Sequence, residues 1–215
     1  MKKKILKKPT IKRLPTYLHI LRQLSNEGEE YVSTTKLINE LEFEPVLVRK
    51  DLATMDLPGK PRLGYKLQDL IQAIEEYLGW DETADAFLVG CGSLGVALMG
   101  YEPFKDYGLN IVAGFDNDSS KTGKSIHGKP VFNIAELPQM IKEKNIEVAI
   151  LTIPWQYAQD VANDLIKAGI KAIWNFTTVK LKVPAGVVTH NENLASGLAL
   201  FSVKKKLRKN INMDE

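Results

Sequence analysis

One cysteine and three histidines are all that the 215 residues hold of the common metal-binding and thiol side chains. A lone Cys91 excludes an internal disulfide, and His19, His127 and His190 are too far apart in sequence to suggest a metal-ligand cluster. No apolar run approaches the ~20 residues that cross a bilayer. The basic start, Met1 to Pro9, lacks the apolar stretch that follows in a secretory signal. These absences lead us to expect a cytoplasmic protein with no membrane segment and no bound metal. A hydrophobic fraction of 44% still permits a packed core. At ~100–150 residues per domain, the length fits one large domain or two small ones.

Acidic residues are scarce at one end of the chain. Residues 1–66 carry 14 Lys or Arg against 8 Asp or Glu, a net of +6, while the whole chain is only +3. A basic first part joined to a slightly acidic second part suggests a polyanion for the first. A merely solvated basic surface would have the same composition.

The first part reads as short helices with a tight break. Thr16 to Leu24 spaces Tyr17, Leu18, Ile20, Leu21 and Leu24 as a helix does. Val32-Ser33-Thr34-Thr35 offers hydroxyl caps for a second helix through Leu37, Ile38 and Leu41. After Glu42-Phe43-Glu44-Pro45 a third helix runs from Val46 to about Met55, with Pro45 suited to its first turn. Such a pair of helices is a helix-turn-helix whose second member would enter the major groove. Val48, Leu52 and Met55 would face the core of this module, leaving Arg49 and Lys50 outward. The loop Leu57 to Lys66, punctuated by Gly and Pro, reads as a wing that brings Lys60 and Arg62 to phosphates. An ordinary surface hairpin is its plain alternative. An amphipathic helix over Gln68 to Leu78 follows, and Gly79-Trp80-Asp81-Glu82 marks the junction.

Beyond the junction the pattern alternates strands and helices, as in a doubly wound parallel sheet. Strands are expected over 86–89, 111–115, 148–153, 172–176 and 187–189, with a weaker one at Val131-Phe132. Helices are expected over 94–101, 135–144 and 155–168. Ala86-Phe87-Leu88-Val89 runs into Gly90-Cys91-Gly92-Ser93-Leu94-Gly95, and Asp116 follows 21 residues after Gly95 at the end of another apolar run. That is the dinucleotide fingerprint: glycines for the turn and the pyrophosphate, a helix N-terminus for the charge, a carboxylate for the ribose. A tight strand-to-helix turn without ligand is the alternative.

Asp116 favours NAD(H) over NADP(H), because a carboxylate repels a 2′-phosphate; Lys121 and Lys124 lie near enough in sequence to soften that preference. Lys121 is therefore counted with the cofactor site. Thr152 and Pro154, and likewise Asn175 and Phe176, end later strands at the same carboxyl edge, where they either line the site or serve as strand-end packing. Cys91 sits in the loop at a helix N-terminus, which could lower its pKa, although a small residue there needs no redox role. No histidine sits in a motif for hydride-transfer chemistry, and no substrate domain follows the sheet. A last helix, about Leu194 to Leu207, spaces Leu194, Leu198, Phe201 and Leu207 as if to pack on a second subunit.

The chain resembles the Rex family of redox-sensing transcriptional repressors over roughly residues 10 to 205. The residues carrying the likeness include Arg13-Leu14-Pro15-Thr16-Tyr17, Val48-Arg49-Lys50-Asp51-Leu52 and Gly64-Tyr65. In the second part they include Val89 to Gly95, Phe115-Asp116-Asn117-Asp118, Ile150 to Pro154, Ala158-Gln159, Ala168-Gly169-Ile170-Lys171 and Asn175-Phe176. The resemblance implies a homodimer with winged-helix DNA-binding domains, Rossmann NAD(H) domains and exchanged C-terminal helices. It implies NADH-driven release from a pseudo-palindromic operator in double-stranded DNA. Departures stand out: Gly59-Lys60-Pro61-Arg62 replaces the usual Gly-Lys-Arg-Gly, and Leu47 replaces a Gln. Thr177-Thr178 replaces Ala-Pro, and His19 and Asn193 stand where an Arg and an Asp usually pair across the dimer.

The expected organisation is a winged helix over 1–80, a Rossmann sheet over 84–191 and a dimerisation helix with tail over 192–215. The cofactor set is Gly90 to Gly95, Asp116, Lys121, Thr152, Pro154, Asn175 and Phe176. The DNA set is Arg13, Leu47, Arg49, Lys50, Lys60, Arg62 and Tyr65. A repressor that is not an enzyme and answers to NADH/NAD⁺ is the leading reading. A small NAD- or CoA-binding enzyme with an oligomerisation module, or a diverged repressor indifferent to redox state, are the others.

Overall fold

The computed structural model describes residues 6–41 and 43–211, the side chains of 207–211 excepted. Glu42 in the break between helices, the first five residues and the Leu207 side chain lie outside that description. The chain divides into two units, Met1–Thr83 and Ala84–Glu215.

The first unit is built on α1 (Lys8–Asn26), which begins well before the expected Thr16. Pro9 opens it, where a missing N–H is harmless, but Pro15 lies inside it. An internal proline costs about 3 kcal/mol through a lost backbone bond and a clash. Leu14, Tyr17, Leu18, Leu21 and Leu24 are all buried on one stripe, and at about 1.5–3 kcal/mol each they outweigh it. Then come β1 (Tyr31–Val32), α2 (Thr34–Glu40), α3 (Pro45–Ala53), β2 (Tyr65–Lys66) and α4 (Leu67–Leu78). Ser33 caps α2 by accepting the Lys36 N–H at 3.0 Å. Pro45 starts α3, and Val48 and Leu52 are buried beneath it. β1 and β2 pair antiparallel, Val32 opposite Tyr65. The wing turn closes with two backbone bonds between Lys60 and Gly64, 2.7 and 2.9 Å. Gly64 is required there: its φ is +92°, and a Cβ would come within 2.2 Å of the Val32 carbonyl.

The second unit contains β3 (Ala84–Val89), α5 (Ser93–Met99), β4 (Leu109–Asp116), β5 (Ser125–Ile126), β6 (Lys129–Asn133), α6 (Leu137–Lys144), β7 (Val148–Leu151), α7 (Ala158–Ala168), β8 (Ala172–Asn175), β9 (Val188–Asn191) and α8 (Leu194–Ile211). Short 3₁₀ turns lead into α6 and α7, where the sequence reads as continuous helix. The sheet order is β5-β6-β4-β3-β7-β8-β9. Only the β5–β6 pair is antiparallel; every other neighbouring pair is parallel. Without β5, the sheet has the doubly wound dinucleotide-binding order, with its switch point between β3 and β7. The pattern did not announce β5, whose hairpin turns on His127 and Gly128, both at positive φ.

Successive residues of β3 face opposite layers, as the pleat demands. Phe87 and Val89 join the core under α6 and α7, with Leu137 and Leu165. Leu88 joins the opposite core, with Cys91, Met99 and Ile111. On α8, Leu194, Leu198, Leu200, Phe201 and Val203 are each more than half exposed. No helix among the described residues is long and apolar enough to cross a membrane.

Candidate functional site

The glycine turn leaving β3 has two closed positions and one open one. A Cβ on Gly90, whose φ is +100°, would fall 2.7 Å from the Thr152 carbonyl; one on Gly95 would fall 2.0 Å from the Gly90 carbonyl. Gly95 thus lets α5 sit directly against the strand end. Gly92 differs: it caps α5, and a Cβ there would meet nothing within 4 Å. Its space opens outward, which is what close approach of a pyrophosphate requires. Thr152 holds the turn from β7, its hydroxyl donating to the Gly90 carbonyl at 2.7 Å.

Asp116 at the end of β4 is 7% exposed. It accepts from the Cys91 N–H at 2.8 Å, the Asp118 N–H at 2.9 Å and the Lys121 ammonium at 3.1 Å. Burial opposes its ionisation, but the N–H of Asp118, the ammonium of Lys121 and the N–H of Cys91 outweigh burial and hold the carboxyl below its ordinary range. A carboxylate has about four acceptor sites, so three donors leave one for a ribose hydroxyl. Lys121 is therefore neutralised by Asp116, and by Asp118 at 3.6 Å, instead of standing free for a 2′-phosphate.

Beside this turn lies a cavity of about 430 Å³. Gly90, Gly92, Asp116, Lys121, Thr152 and Pro154 all line it, so half of the expected cofactor set converges on one space. Ile134, Ile153, Tyr157 and Val161 complete an apolar wall that the sequence reading missed. Tyr157 follows the carboxyl end of β7 and is 62% exposed; the rule that ligands lie beyond strand ends was the available signal.

The other expected residues have different surroundings. Asn175 is fully buried: its amide donates to the Val179 carbonyl and Asn191, and its oxygen accepts from Thr177. Phe176 packs tilted against Trp174, ring centroids 4.9 Å apart, on the α5 face of the sheet. The cavity lining includes neither of them. Cys91, Ser93, Leu94 and Gly95 belong to the same turn, but the cavity lining includes none of them. Burial reverses the expected effect of the helix end on Cys91: burial first, then the Asp116 charge, pushes its thiol up to about 11. It lies against Met99 and is not an accessible nucleophile.

In the first unit, Leu47, Arg49 and Lys50 are exposed on α3. Lys60 and Arg62 are exposed on the wing, and Tyr65 sits half-buried at its base. Lys60 hydrogen-bonds the Tyr31 hydroxyl at 2.5 Å and lies 4.7 Å from that ring's centre. Arg62 has a φ of +68°. Arg13 is not free: its guanidinium grips Asp51 at 2.7 and 2.8 Å. His19 is exposed, and Asn193 accepts the Ser196 N–H at the start of α8.

Residues 7–53 match a family described as putative DNA-binding protein N-terminus, and residues 81–179 match the CoA binding domain family. A Treponema denticola protein named redox-sensing transcriptional repressor Rex is 49% identical over 97% of this chain and 99% of its own length. One of that name from Bacteroides thetaiotaomicron is 36% identical over 90% and 88%. The crystal structure of RSP with β-NAD⁺ and operator DNA superposes at a TM-score of 0.85 with 31% identity, covering 99% of this chain and 97% of that one. RSP with β-NADH gives 0.86 and 30%, covering 99% and 100%. These relatives are repressors, and this chain is a regulator and not an enzyme. Near full-length identity of this order, on the same fold, places the chain in the Rex family of redox-sensing transcriptional repressors.

Proposed function

We propose that the protein is a cytoplasmic, homodimeric repressor that holds operator DNA with its first unit and releases it when NADH occupies its second. The observation that carries this reading is one chain with both an outward basic helix in a helix-turn-helix and an open glycine turn beside a cavity. Solved Rex-family relatives that cover nearly the whole chain hold operator DNA and both cofactor forms. Gly92 would admit the pyrophosphate to the α5 N-terminus, and Asp116 would accept from one ribose hydroxyl at the position its three donors leave. Ile134, Ile153 and Val161 would exclude water from the bound rings. The nicotinamide supplies the signal, since it carries a positive charge in NAD⁺ and none in NADH. A switch requires the two forms to favour different states of the dimer, because equal affinity for both states shifts nothing. On the DNA side Arg49 and Lys50 would reach the major groove with Leu47 beside them. Lys60 and Arg62 would bind phosphates, with Tyr65 supporting the wing. A two-fold dimer would read two half-sites of a pseudo-palindrome. Arg49→Glu should abolish operator binding in a fluorescence-anisotropy titration and leave NADH affinity unchanged. Loss of both would count against separate DNA and cofactor surfaces.

A further inference from the structure

We propose that Arg13 and Asp51 form a clamp that sets the rotation of α3, so that Arg13 serves operator recognition as a positioning residue and not as a direct contact. The inference rests on the DNA-binding reading above. Asp51 follows Arg49 and Lys50 in α3 but is only 3% exposed. Arg13 donates to both its oxygens, Nε to Oδ2 at 2.7 Å and Nη2 to Oδ1 at 2.8 Å. Thr10 adds a hydroxyl at 3.0 Å and Tyr17 another at 3.1 Å. Residues 10, 13 and 17 share one face of α1, so that face surrounds a single carboxylate with donors. The guanidinium also lies 6.0 Å from the centre of the Phe43 ring, and Tyr17 stands 6.0 Å from that ring too. Phe43 belongs to the break between α2 and α3, so the cluster ties α1, the turn and the recognition helix together.

Direction is what this cluster adds. α3 has nine residues and buries two apolar side chains, Val48 and Leu52. Apolar contact is non-directional and leaves a short helix free to roll. A fork-to-carboxylate pair fixes both distance and plane. At about 100° per residue, Asp51 lies about 200° around α3 from Arg49, so anchoring one aims the other away from the core. Burial alone would raise the Asp51 carboxyl, but the bonds from Arg13, Thr10 and Tyr17 hold it below its ordinary range, so the clamp stays charged at neutral pH.

The test measures affinity against salt for a duplex that the wild-type chain selects from a random pool, and for a scrambled duplex of equal length. Arg13→Gln, Asp51→Asn and the double variant are compared, with Tyr17→Phe as the mildest change and circular-dichroism melting as the check on folding. The clamp predicts that each single change weakens the selected duplex about tenfold at temperatures where the variant is folded. It predicts little change on the scrambled duplex, an unchanged salt slope and a double variant no worse than the poorer single, the mark of groups acting as a unit. Tyr17→Phe should show the same pattern with a smaller loss. A fall of about 0.9 in the salt slope for Arg13→Gln alone would make it a phosphate contact and overturn the clamp. So would losses that merely follow the unfolded fraction. If the wild type selects no duplex, the DNA-binding reading itself fails.

Discussion

Arg62 stands in a backbone conformation that side chains avoid, with φ at +68° on the wing, where the resembled family carries glycine. A left-handed residue with a Cβ costs roughly 1–2 kcal/mol. A glycine there would remove that strain and the cation together, while loosening the unfolded chain by about 0.4–1 kcal/mol. Arg62→Gly should therefore raise the stability of the first unit by up to about 1 kcal/mol in thermal melts. It should also weaken operator binding and lower the salt slope by about 0.9. An Arg that improves stability when removed but weakens binding is placed for its ligand. The residues that were legible at this scale are those whose partners lie at a set sequence distance. Gly90, Gly92, Gly95 and Asp116 are one strand, one turn and one more strand apart, so spacing alone brings them together. Asp51 was not legible as a buried group, because it ends the polar run Arg49-Lys50-Asp51 and its partner lies 38 residues away. For Asn175 the sequence leaves site lining and strand-end packing both open, because its strand-end position is visible and its bonds to Val179 and Asn191 are not.

At the scale of elements, the turn from β3 to α5 joins folding to binding, and its glycines separate the two. Gly95→Ala would drive a methyl into the Gly90 carbonyl and should lower the melting temperature sharply. Gly92→Ala meets open space at a φ of −75°, so it should melt within a degree or two of wild type, a change of a few tenths of a kcal/mol. It should still reduce NADH affinity at least about tenfold in a fluorescence titration, since its methyl occupies the ligand side. Equal effects of the two changes on stability would contradict the account. Elements with strong periodicity were readable: every strand expected from the apolar runs exists, with no end shifted by more than two residues. The start of α1 was not, because a proline at position 15 stands against continuing a helix back beyond Thr16, and the burial that overrides it comes from elsewhere in the unit. β5 was invisible because two residues carry no period.

At the scale of the whole molecule, the second unit leaves a helix uncovered. Five apolar side chains of α8 are exposed, and burying each would contribute about 1.5–3 kcal/mol. That energy is available to a second copy of the chain, as the resemblance implies and as a pseudo-palindromic operator needs. Leu198→Glu with Phe201→Glu should yield a monomer by analytical ultracentrifugation, with operator affinity lost and the first unit still folded. A dimer that survives both charges would place the subunit contact elsewhere. Relatives named redox-sensing transcriptional repressors over nearly the whole chain, and not the glycine turn by itself, set the regulatory reading.

Operator binding followed by anisotropy while NADH is titrated, at fixed salt and with NAD⁺ as the parallel titrant, tests the central claim most directly. The account predicts that NADH releases the DNA at concentrations that fill the second unit, and that NAD⁺ leaves the complex intact. NADH that binds the protein and leaves its affinity for DNA unchanged would contradict it.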